Sequence, residues 1–172
     1  MEVVKDPGNS QEERFTALVV QYQALLMKIC FLYLGDAEQA RDAVQETFLK
    51  AYAAQGRFRG ECSEKNWLVA IARNTCRDMR RSAWFRHTDR RVTPDALLRL
   101  PAAEATEEER ELAWAVMQLP NHLKDVVLLY YYQNFTLAEI AEALHMAPSS
   151  VSARLSRARK RLKAQLEKGD TP

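Results

Sequence analysis

The sequence contains few of the residues that interrupt helices or cross-link a chain. Its 172 residues include only 5 glycines, 6 prolines and 3 cysteines. Long alternating runs of β-branched residues are also missing, and these shortages together favour helices over strands. Cys30, Cys62 and Cys76 form no Cys-x-x-Cys or Cys/His cluster, so neither a disulfide framework nor a zinc site is supported. We expect reduced thiols, buried or half-buried, in a cytoplasmic protein.

Long apolar runs and catalytic constellations are missing as well. No stretch approaches about 18 uninterrupted apolar residues, and the N-terminus lacks the apolar segment of a signal peptide, so we expect no membrane insertion. The sequence also has no paired-carboxylate motif, no phosphate-binding glycine loop and no clustered histidines. These motifs are the common signatures of a nuclease or phosphotransferase, and the sequence lacks them. We therefore expect no catalytic residue, no metal site, no cofactor and no enzymatic activity.

The charges are present in abundance but are unevenly distributed. The formal net charge is only +2. Residues 57–91 nevertheless carry ten basic side chains against four acidic ones, and residues 149–163 carry six against none. Between them, residues 104–111 hold five glutamates and one arginine. Such a separation is typical of two basic surfaces divided by an acidic spacer.

The apolar periodicity divides the chain into two helical domains. Apolar residues recur at helical spacing in residues 10–86 and again in residues 107–168. Residues 87–106 break the pattern with two prolines and are longer than a connection inside a compact domain. The sequence thus predicts an all-α protein, with two small helical domains joined by a flexible linker.

Helix starts are marked by capping residues. Asp36 and Ser63 precede the second and third predicted helices of the first domain. Thr106 and Thr136 each precede a glutamate by three residues, which is the capping-box spacing. These signals predict the helix boundaries of both domains.

The segment TLAEIAEALHMAPSSVSARLSRA, residues 136–158, has the layout of a helix-turn-helix. Val151 and Leu155 are spaced to face inward. That leaves a set of small, polar and basic residues facing outward from the N-terminal half of the second helix, which a recognition helix presents to base edges: Ser149, Ser150, Ser152, Ala153, Ser156 and Arg157. The flexible cations Arg154, Arg159, Lys160 and Lys163 suit phosphates.

Two residues of this segment depart from the usual pattern. His145 occupies the turn position that usually holds glycine, because a positive φ is required there. Ala147 stands where a polar N-cap is expected, so we expect Ser149 or Ser150 to cap the recognition helix instead. These departures concern the geometry of the turn more than its function.

Three stretches of the sequence together resemble a known family. They are DAEQARDAVQETFLKAY (36–52), FRGECSEKNWLVAIARNTCRDMRR (58–81) and LPNHLKDVVLLYYYQNFTLAEIAEALHMAPSSVSARLSRARKRL (119–162). In this order, and with a linker between the second and third, they are similar to the extracytoplasmic-function (ECF) sigma factors of RNA polymerase. The resemblance covers most of the chain.

The resemblance implies a promoter-specificity subunit of RNA polymerase. The first domain is then expected to bind the clamp helices of the largest polymerase subunit and to open the −10 element. The second domain, beside the polymerase flap, is expected to read the −35 element as duplex DNA. An anti-sigma factor, often membrane-anchored in this family, is a further expected partner.

The resemblance also assigns residues to each contact. The expected polymerase contacts are Asp42, Gln45 and Glu46. The expected −10 DNA contacts are Arg73, Asn74, Arg77, Arg80 and Arg81. The loop expected to hold a base flipped from the non-template strand contributes Glu61, Ser63, Lys65 and Asn66. The expected −35 contacts are Ser149, Ser150, Ser152, Ala153, Arg154, Ser156, Arg157 and Lys160.

A free-standing helix-turn-helix regulator is the main alternative. Such a protein would protect its operator without polymerase, and usually binds a symmetric site as a dimer. The sequence offers no evident dimerisation heptad, and this alternative leaves the first domain unexplained.

Overall fold

The computed structural model of the chain describes residues 7–82 and 106–169, and within these two ranges it contains helices and no strands. This confirms the all-α class. The predicted linker, residues 87–106, lies outside the described residues except for its last residue. The α-helices, numbered here in chain order, are α1 (Pro7–Leu34), α2 (Ala37–Ala54), α3 (Glu64–Arg81), α4 (Glu107–Met117), α5 (Asn121–Val127), α6 (Leu137–Leu144) and α7 (Pro148–Glu167).

The first domain is formed by α1, α2 and α3, each of which packs against the other two. Gly35 ends α1 with a positive φ of 73°. The Asp36 side chain then accepts a hydrogen bond of 2.9 Å from the backbone N–H of Gln39, and Ser63 caps α3 in the same way through Asn66, at 3.1 Å. Both predicted N-caps are therefore confirmed. Each accepts a hydrogen bond from a backbone N–H of the first helical turn that has no partner within its helix.

The core of the first domain combines large side chains from α1 with small ones from α2. Phe31 is fully buried, and Ala40 and Ala43 are also fully buried, which lets the helices approach closely. Of the cysteines, Cys30 and Cys76 are buried free thiols, as expected. Cys62 is exposed, so the prediction of a buried or half-buried thiol is wrong there, because its loop extends into solvent.

The second domain begins and continues with the two predicted capping boxes. Thr136 Oγ1 accepts from the backbone N–H of Glu139 at 3.1 Å, while the Glu139 carboxylate accepts from the N–H of Thr136 at 2.7 Å. Thr106 and Glu109 repeat this arrangement at the start of α4. Beyond α5 the chain continues into one π-helical turn, Leu128–Tyr132. This turn precedes Asn134, which has a φ of 56°.

The turn of the helix-turn-helix contains a residue with a positive φ, as the sequence analysis predicted for His145. His145 has φ 52° and ψ 52°, and the N–H of Met146 bonds to the carbonyl of Ala141 at 3.0 Å to close α6. Ala147 is the N-cap of α7 without a side-chain hydrogen bond, and Pro148 is in its first turn. The expectation that Ser149 or Ser150 caps this helix is therefore wrong. Proline replaces that cap, because its fixed φ suits a first helical turn and it has no N–H to satisfy.

The two domains pack against each other. Their buried apolar side chains belong to one continuous core, and α1 lies against α4. A cation–π contact crosses the boundary between the domains, with the Lys28 ammonium 5.4 Å from the centroid of the Tyr132 ring. The described residues thus form one closed arrangement of two helical domains.

Helix α1 also has the length and hydropathy of a membrane span over Ser10–Leu34. Much of that segment is core, since every residue from Ile29 to Leu34 is buried within the fold. A buried core helix can have the same length and apolar composition as a membrane span, so these two properties do not by themselves indicate insertion.

Candidate nucleic-acid interface

The recognition helix α7 is anchored by one face and leaves the other in solvent. Val151, Leu155 and Ala158 are buried against the rest of the second domain, chiefly α4, α5 and α6. The residues predicted to face outward are all exposed: Ser149, Ser150, Ser152, Ala153, Ser156 and Arg157. Lys160 is exposed and Arg154 partly exposed, so the whole predicted −35 surface lies on one accessible side of the helix.

One cation of α7 is held by an aromatic pair that the sequence pattern did not identify. The Arg159 guanidinium donates to Tyr131 Oη at 2.5 Å and lies 5.8 Å and 5.6 Å from the ring centroids of Tyr130 and Tyr131. The hydrogen bond to Tyr131 raises the pKa of Arg159 further. This arginine is therefore held against the π-helical turn, unlike its neighbours on the free face.

Helix α3 presents its basic residues in two different states. Asn74, Arg77 and Arg81 are exposed. Arg73 and Arg80 are half-buried, and protein groups already occupy them. Arg80 donates to the backbone carbonyl of Tyr33 and lies over the Tyr33 ring, 5.4 Å from its centroid.

Arg73 is paired with a residue of the second domain. Its Nη2 lies 3.2 Å from Oδ2 of Asp125, and its Nε donates to Oδ1 at 3.3 Å, which makes the pair bidentate. The two side chains are only 12% and 19% exposed. The sequence carries no signal for this pair, because its members are 52 residues apart on different domains.

The surroundings of this ion pair are buried and polar. Lys124, beside Asp125, is 5% exposed. Burial lowers the pKa of Lys124 to about 7, with the positive charge of Arg80 acting in the same direction and Asp125 against them. Burial also raises the pKa of the Tyr33 hydroxyl well above its ordinary value, and the Asp125 carboxylate adds to that effect. The sequence pattern did not single out Lys124 or Asp125.

The loop before α3 exposes the residues predicted to hold a flipped base. Gly60 has a φ of 73°, which permits the sharp turn into the loop. Glu61 and Ser63 are exposed, while Lys65 and Asn66 are partly exposed. The Ser63 hydroxyl is already used as the cap of α3, so it is an acceptor committed to the backbone.

An aromatic stack joins the two residues that flank this loop. Phe58 and Trp67 lie with ring centroids 4.7 Å apart and an interplanar angle of 26°. Trp67 is partly buried and packs against the core.

Helix α2 has a buried core face and an exposed polar face. Asp42, Gln45 and Glu46 are exposed, and Phe48 is buried beneath them. Beside these polar groups, an open groove between α1 and α2 carries large apolar side chains that are unusually exposed: Val20 (75%), Leu49 (62%) and Tyr52 (47%).

Comparison with known families matches both domains. Residues 18–86 match the model of Sigma-70 region 2, and residues 109–162 match that of Sigma-70 region 4. The ECF RNA polymerase sigma factor SigL of Mycobacterium tuberculosis is 33% identical over 157 residues, covering 88% of this chain and 88% of SigL. This chain belongs to the ECF sigma factors. It is a transcription initiation factor that directs RNA polymerase.

Other relatives of this sigma factor align over nearly its full length. The RNA polymerase sigma-H factor of Pseudomonas aeruginosa is 27% identical and covers 96% of this chain and 93% of its own. Among solved structures, RpoE of Bartonella quintana, in complex with the anti-sigma factor NepR, has a TM-score of 0.73 at 23% identity, covering 90% of this chain and 98% of that one. CnrH, in complex with the cytosolic domain of CnrY, has a TM-score of 0.68 at 24% identity, covering 93% and 91%. These two structures share the fold.

Proposed function

We propose that this sigma factor binds core RNA polymerase through α2, holds melted −10 DNA with α3 and its preceding loop, and reads −35 duplex with α7. The proposed domain bounds are 10–86 and 107–168, with residues 87–106 as the linker. The protein has no chemical step of its own in this proposal. It supplies promoter specificity to the polymerase in the cytoplasm.

The polymerase contact rests on the composition of the α2 surface. Asp42, Gln45 and Glu46 supply exposed acceptors suited to arginines of a partner helix. The adjoining groove exposes Leu49 and Tyr52, and large apolar side chains grouped beside polar ones are typical of a protein interface. A partner helix laid in this groove would bury the apolar groups and pair the acidic ones.

The −10 contact rests on the basic face of α3. Asn74, Arg77 and Arg81 are accessible to phosphates, and Arg73 and Arg80 join them when their protein partners release them. Glu61, Lys65 and Asn66 provide hydrogen-bonding groups at the adjoining loop. Ser63 caps α3 with its hydroxyl and thereby fixes the end of this loop at the start of the helix.

The −35 contact rests on the free side of α7. Serines and Ala153 at the N-terminal half allow the helix to approach base edges closely, and serine bonds to bases or phosphates. Arg154, Arg157 and Lys160 add charge that releases counterions from DNA, so binding should weaken steeply with salt.

The observation that carries the proposal is the presence, in one chain, of an exposed basic recognition helix and an acidic, partly apolar α2 surface. A helix-turn-helix regulator that acts alone needs the first of these surfaces and has no use for the second.

We also propose that an anti-sigma factor controls this protein, since both structural neighbours were solved with such a partner or with a cytosolic domain bound.

The polymerase contact is tested with the double variant Asp42→Arg/Glu46→Arg. We expect core polymerase affinity to fall by roughly a hundredfold or more, because like charges placed across an interface cost several kcal/mol. Co-purification with core polymerase and run-off transcription from a promoter library measure the effect.

The matched control places the same charge change at exposed acids outside α2, as Glu12→Arg/Glu108→Arg. This control should keep polymerase affinity within about threefold of the unaltered chain, since distant surface charges are screened. Equal affinity in both double variants would refute the α2 assignment. A chain that neither binds core polymerase nor selects a start site would refute the proposed function.

A further inference from the structure

Arg159 stands at the edge of the exposed side of α7 that carries Ser152 and Ser156. It follows Ser152 by seven residues and Ser156 by three, a spacing that places the three side chains along one side of an α-helix. It also lies in the C-terminal half of α7, beyond the residues proposed to meet base edges. A cation in that half of a recognition helix is placed to meet the DNA backbone, since the N-terminal half contacts the bases.

Arg159 is held in one orientation by aromatic side chains of another element. Tyr130 and Tyr131 are consecutive residues of the π-helical turn, and their rings pack edge to face with centroids 4.9 Å apart. The Arg159 guanidinium lies 5.8 Å and 5.6 Å from these centroids, and its Nε donates to Tyr131 Oη at 2.5 Å. Two rings and one hydrogen bond thus restrict a side chain that usually samples many rotamers on a surface.

The contacts that hold Arg159 do not neutralise its positive charge. None of the ion pairs among the described residues includes Arg159, whereas the neighbouring Lys163 lies 3.8 Å from the Glu167 carboxylate. The Tyr131 hydroxyl is uncharged, and its bond uses one of the five N–H groups of the guanidinium, while a bidentate phosphate contact needs two. Arg159 is exposed and Tyr131 is 49% exposed, so an external anion can reach the pair.

We propose that Tyr131 is a positioning residue for DNA binding, which holds Arg159 in the orientation that meets one phosphate of the −35 duplex. This inference rests on the proposed role of α7 at the −35 element. Fixing the guanidinium before DNA arrives removes part of the ordering cost of the contact. A fixed cation also accepts a phosphate at one place, whereas a mobile lysine such as Lys160 follows the backbone. The pair therefore helps to set the register of α7 on the duplex.

The positioning role is tested by duplex binding of the full chain with Tyr131→Phe, which removes the hydroxyl and keeps the ring. The probe is a fluorescein-labelled duplex of about 30 base pairs and mixed sequence, and Kd is measured by anisotropy between about 50 and 200 mM salt. We expect Kd to rise roughly threefold to tenfold, the size of one hydrogen bond. Tyr52→Phe, at a tyrosine of α2 that is 47% exposed, is the matched control and should change Kd by less than about twofold.

A double-variant cycle shows whether Tyr131 acts through Arg159. Arg159→Ala should raise Kd and lessen the slope of log K against log salt by about 1, because one phosphate contact is lost. In that background, Tyr131→Phe should have no further effect on Kd. Arg14→Ala removes the same charge from an exposed position of α1 and should leave the slope unchanged. An equal loss of affinity from Tyr131→Phe with and without Arg159 overturns the inference, because the tyrosine then acts through the stability of the domain.

The orientation of the guanidinium is tested without any DNA. In 1H–15N spectra of arginine side chains, the Nε–H of Arg159 should exchange slowly with solvent, since it donates to Tyr131. In Tyr131→Phe the same proton should exchange as fast as that of the exposed Arg14. An unprotected Arg159 Nε–H in the unaltered chain overturns the inference, whatever the DNA result.

Lys160→Ala distinguishes failure of the positioning role from failure of the proposed function. If Lys160→Ala weakens duplex binding while Arg159→Ala and Tyr131→Phe do not, the positioning role is refuted and the −35 role of α7 stands. If none of the three variants changes Kd or the salt slope, the positioning role and the proposed −35 role of α7 are both contradicted.

Discussion

Lys124 is a buried lysine in a chain whose other described lysines lie at least partly in solvent. It stands next to Asp125 at the boundary between the domains, and burial is the main cause of its lowered pKa of about 7. The amphipathic pattern of α5 is unusual at this point, because a long cationic side chain occupies a core position between Leu123 and Val126. The lowered pKa of Lys124 is explained by its buried surroundings in the folded chain.

Lys124 predicts a specific pH dependence of stability. Its pKa is 10.5 in the unfolded chain and about 7 in the folded one, so the unfolded chain binds more protons between these values. The free energy of unfolding should therefore rise from pH 7 upward, by up to about 1.4 kcal/mol per pH unit. This rise in the free energy of unfolding should end near pH 9, the ordinary pKa of a thiol. Above that pH the buried Cys30, whose pKa is raised in the folded chain, lowers the free energy of unfolding.

The measurement compares urea unfolding of the unaltered chain and Lys124→Met at several values between pH 7 and pH 9. The difference between the two free energies should grow with pH in favour of the unaltered chain. Lys168→Met, at an exposed position after α7, serves as the control and should run parallel to the unaltered chain. Parallel curves for Lys124→Met as well would contradict the assignment.

At the scale of elements, sequence pattern and structure agree closely. The capping boxes at Thr106 and Thr136 and the caps at Asp36 and Ser63 start their helices where predicted. These features are local, since a side chain caps a backbone N–H three residues away. The start of α7 differs at Ala147, because proline in the first turn makes a side-chain cap unnecessary.

Helix α7 predicts a measurable salt dependence of DNA binding. Lys160 is exposed on the free face, so Lys160→Ala should remove one phosphate contact and lessen the slope of log K against log salt by about 1. Fluorescence anisotropy with a duplex of random sequence, between about 50 and 200 mM salt, measures the slope.

Lys168→Ala provides the comparison, because this exposed lysine lies about 12 Å further along the helix axis than Lys160. Its slope should equal that of the unaltered chain. If Lys160→Ala also leaves the slope unchanged, the phosphate contact assigned to this position is wrong.

At the scale of the whole molecule, the two domains share one core. Leu32 of α1 is fully buried and lines the same cleft as Val116 and Val127 of the second domain. Apolar area buried between domains is lost from water in the same way as area buried within one. The domains should therefore stabilise each other and unfold together.

Leu32→Ala tests this shared core. The substitution should lower the free energy of unfolding by about 2–5 kcal/mol, because it leaves a cavity at a fully buried position. In a background with Trp67→Phe and Trp84→Phe, Trp114 is the one remaining tryptophan, and its fluorescence reports on the second domain. Leu32→Ala should lower the urea midpoint of this fluorescence together with the midpoint measured for the whole chain by circular dichroism. Leu137→Ala, at a position 37% exposed, should cost under about 1 kcal/mol. A Trp114 midpoint that does not respond to Leu32→Ala would show that the domains unfold independently.

The sequence by itself determined the helices, the caps at Asp36, Ser63, Thr106 and Thr136, and the exposed faces of α2 and α7. These follow from a period of 3.6 residues and from contacts three or four residues apart, as the exposure of Asp42, Glu46 and Ser152 illustrates. The family also follows from sequence, since ordered motifs carry it.

The tertiary structure alone decided which charged groups meet. Arg73 was predicted as one of the −10 DNA contacts, and the fold pairs it with Asp125, 52 residues away. No local pattern predicts such a pair, because it depends on how two separately formed helical domains pack. The lowered pKa of Lys124 and the contact of Arg159 with Tyr131 have the same origin, since burial and long-range neighbours exist only after the helices pack.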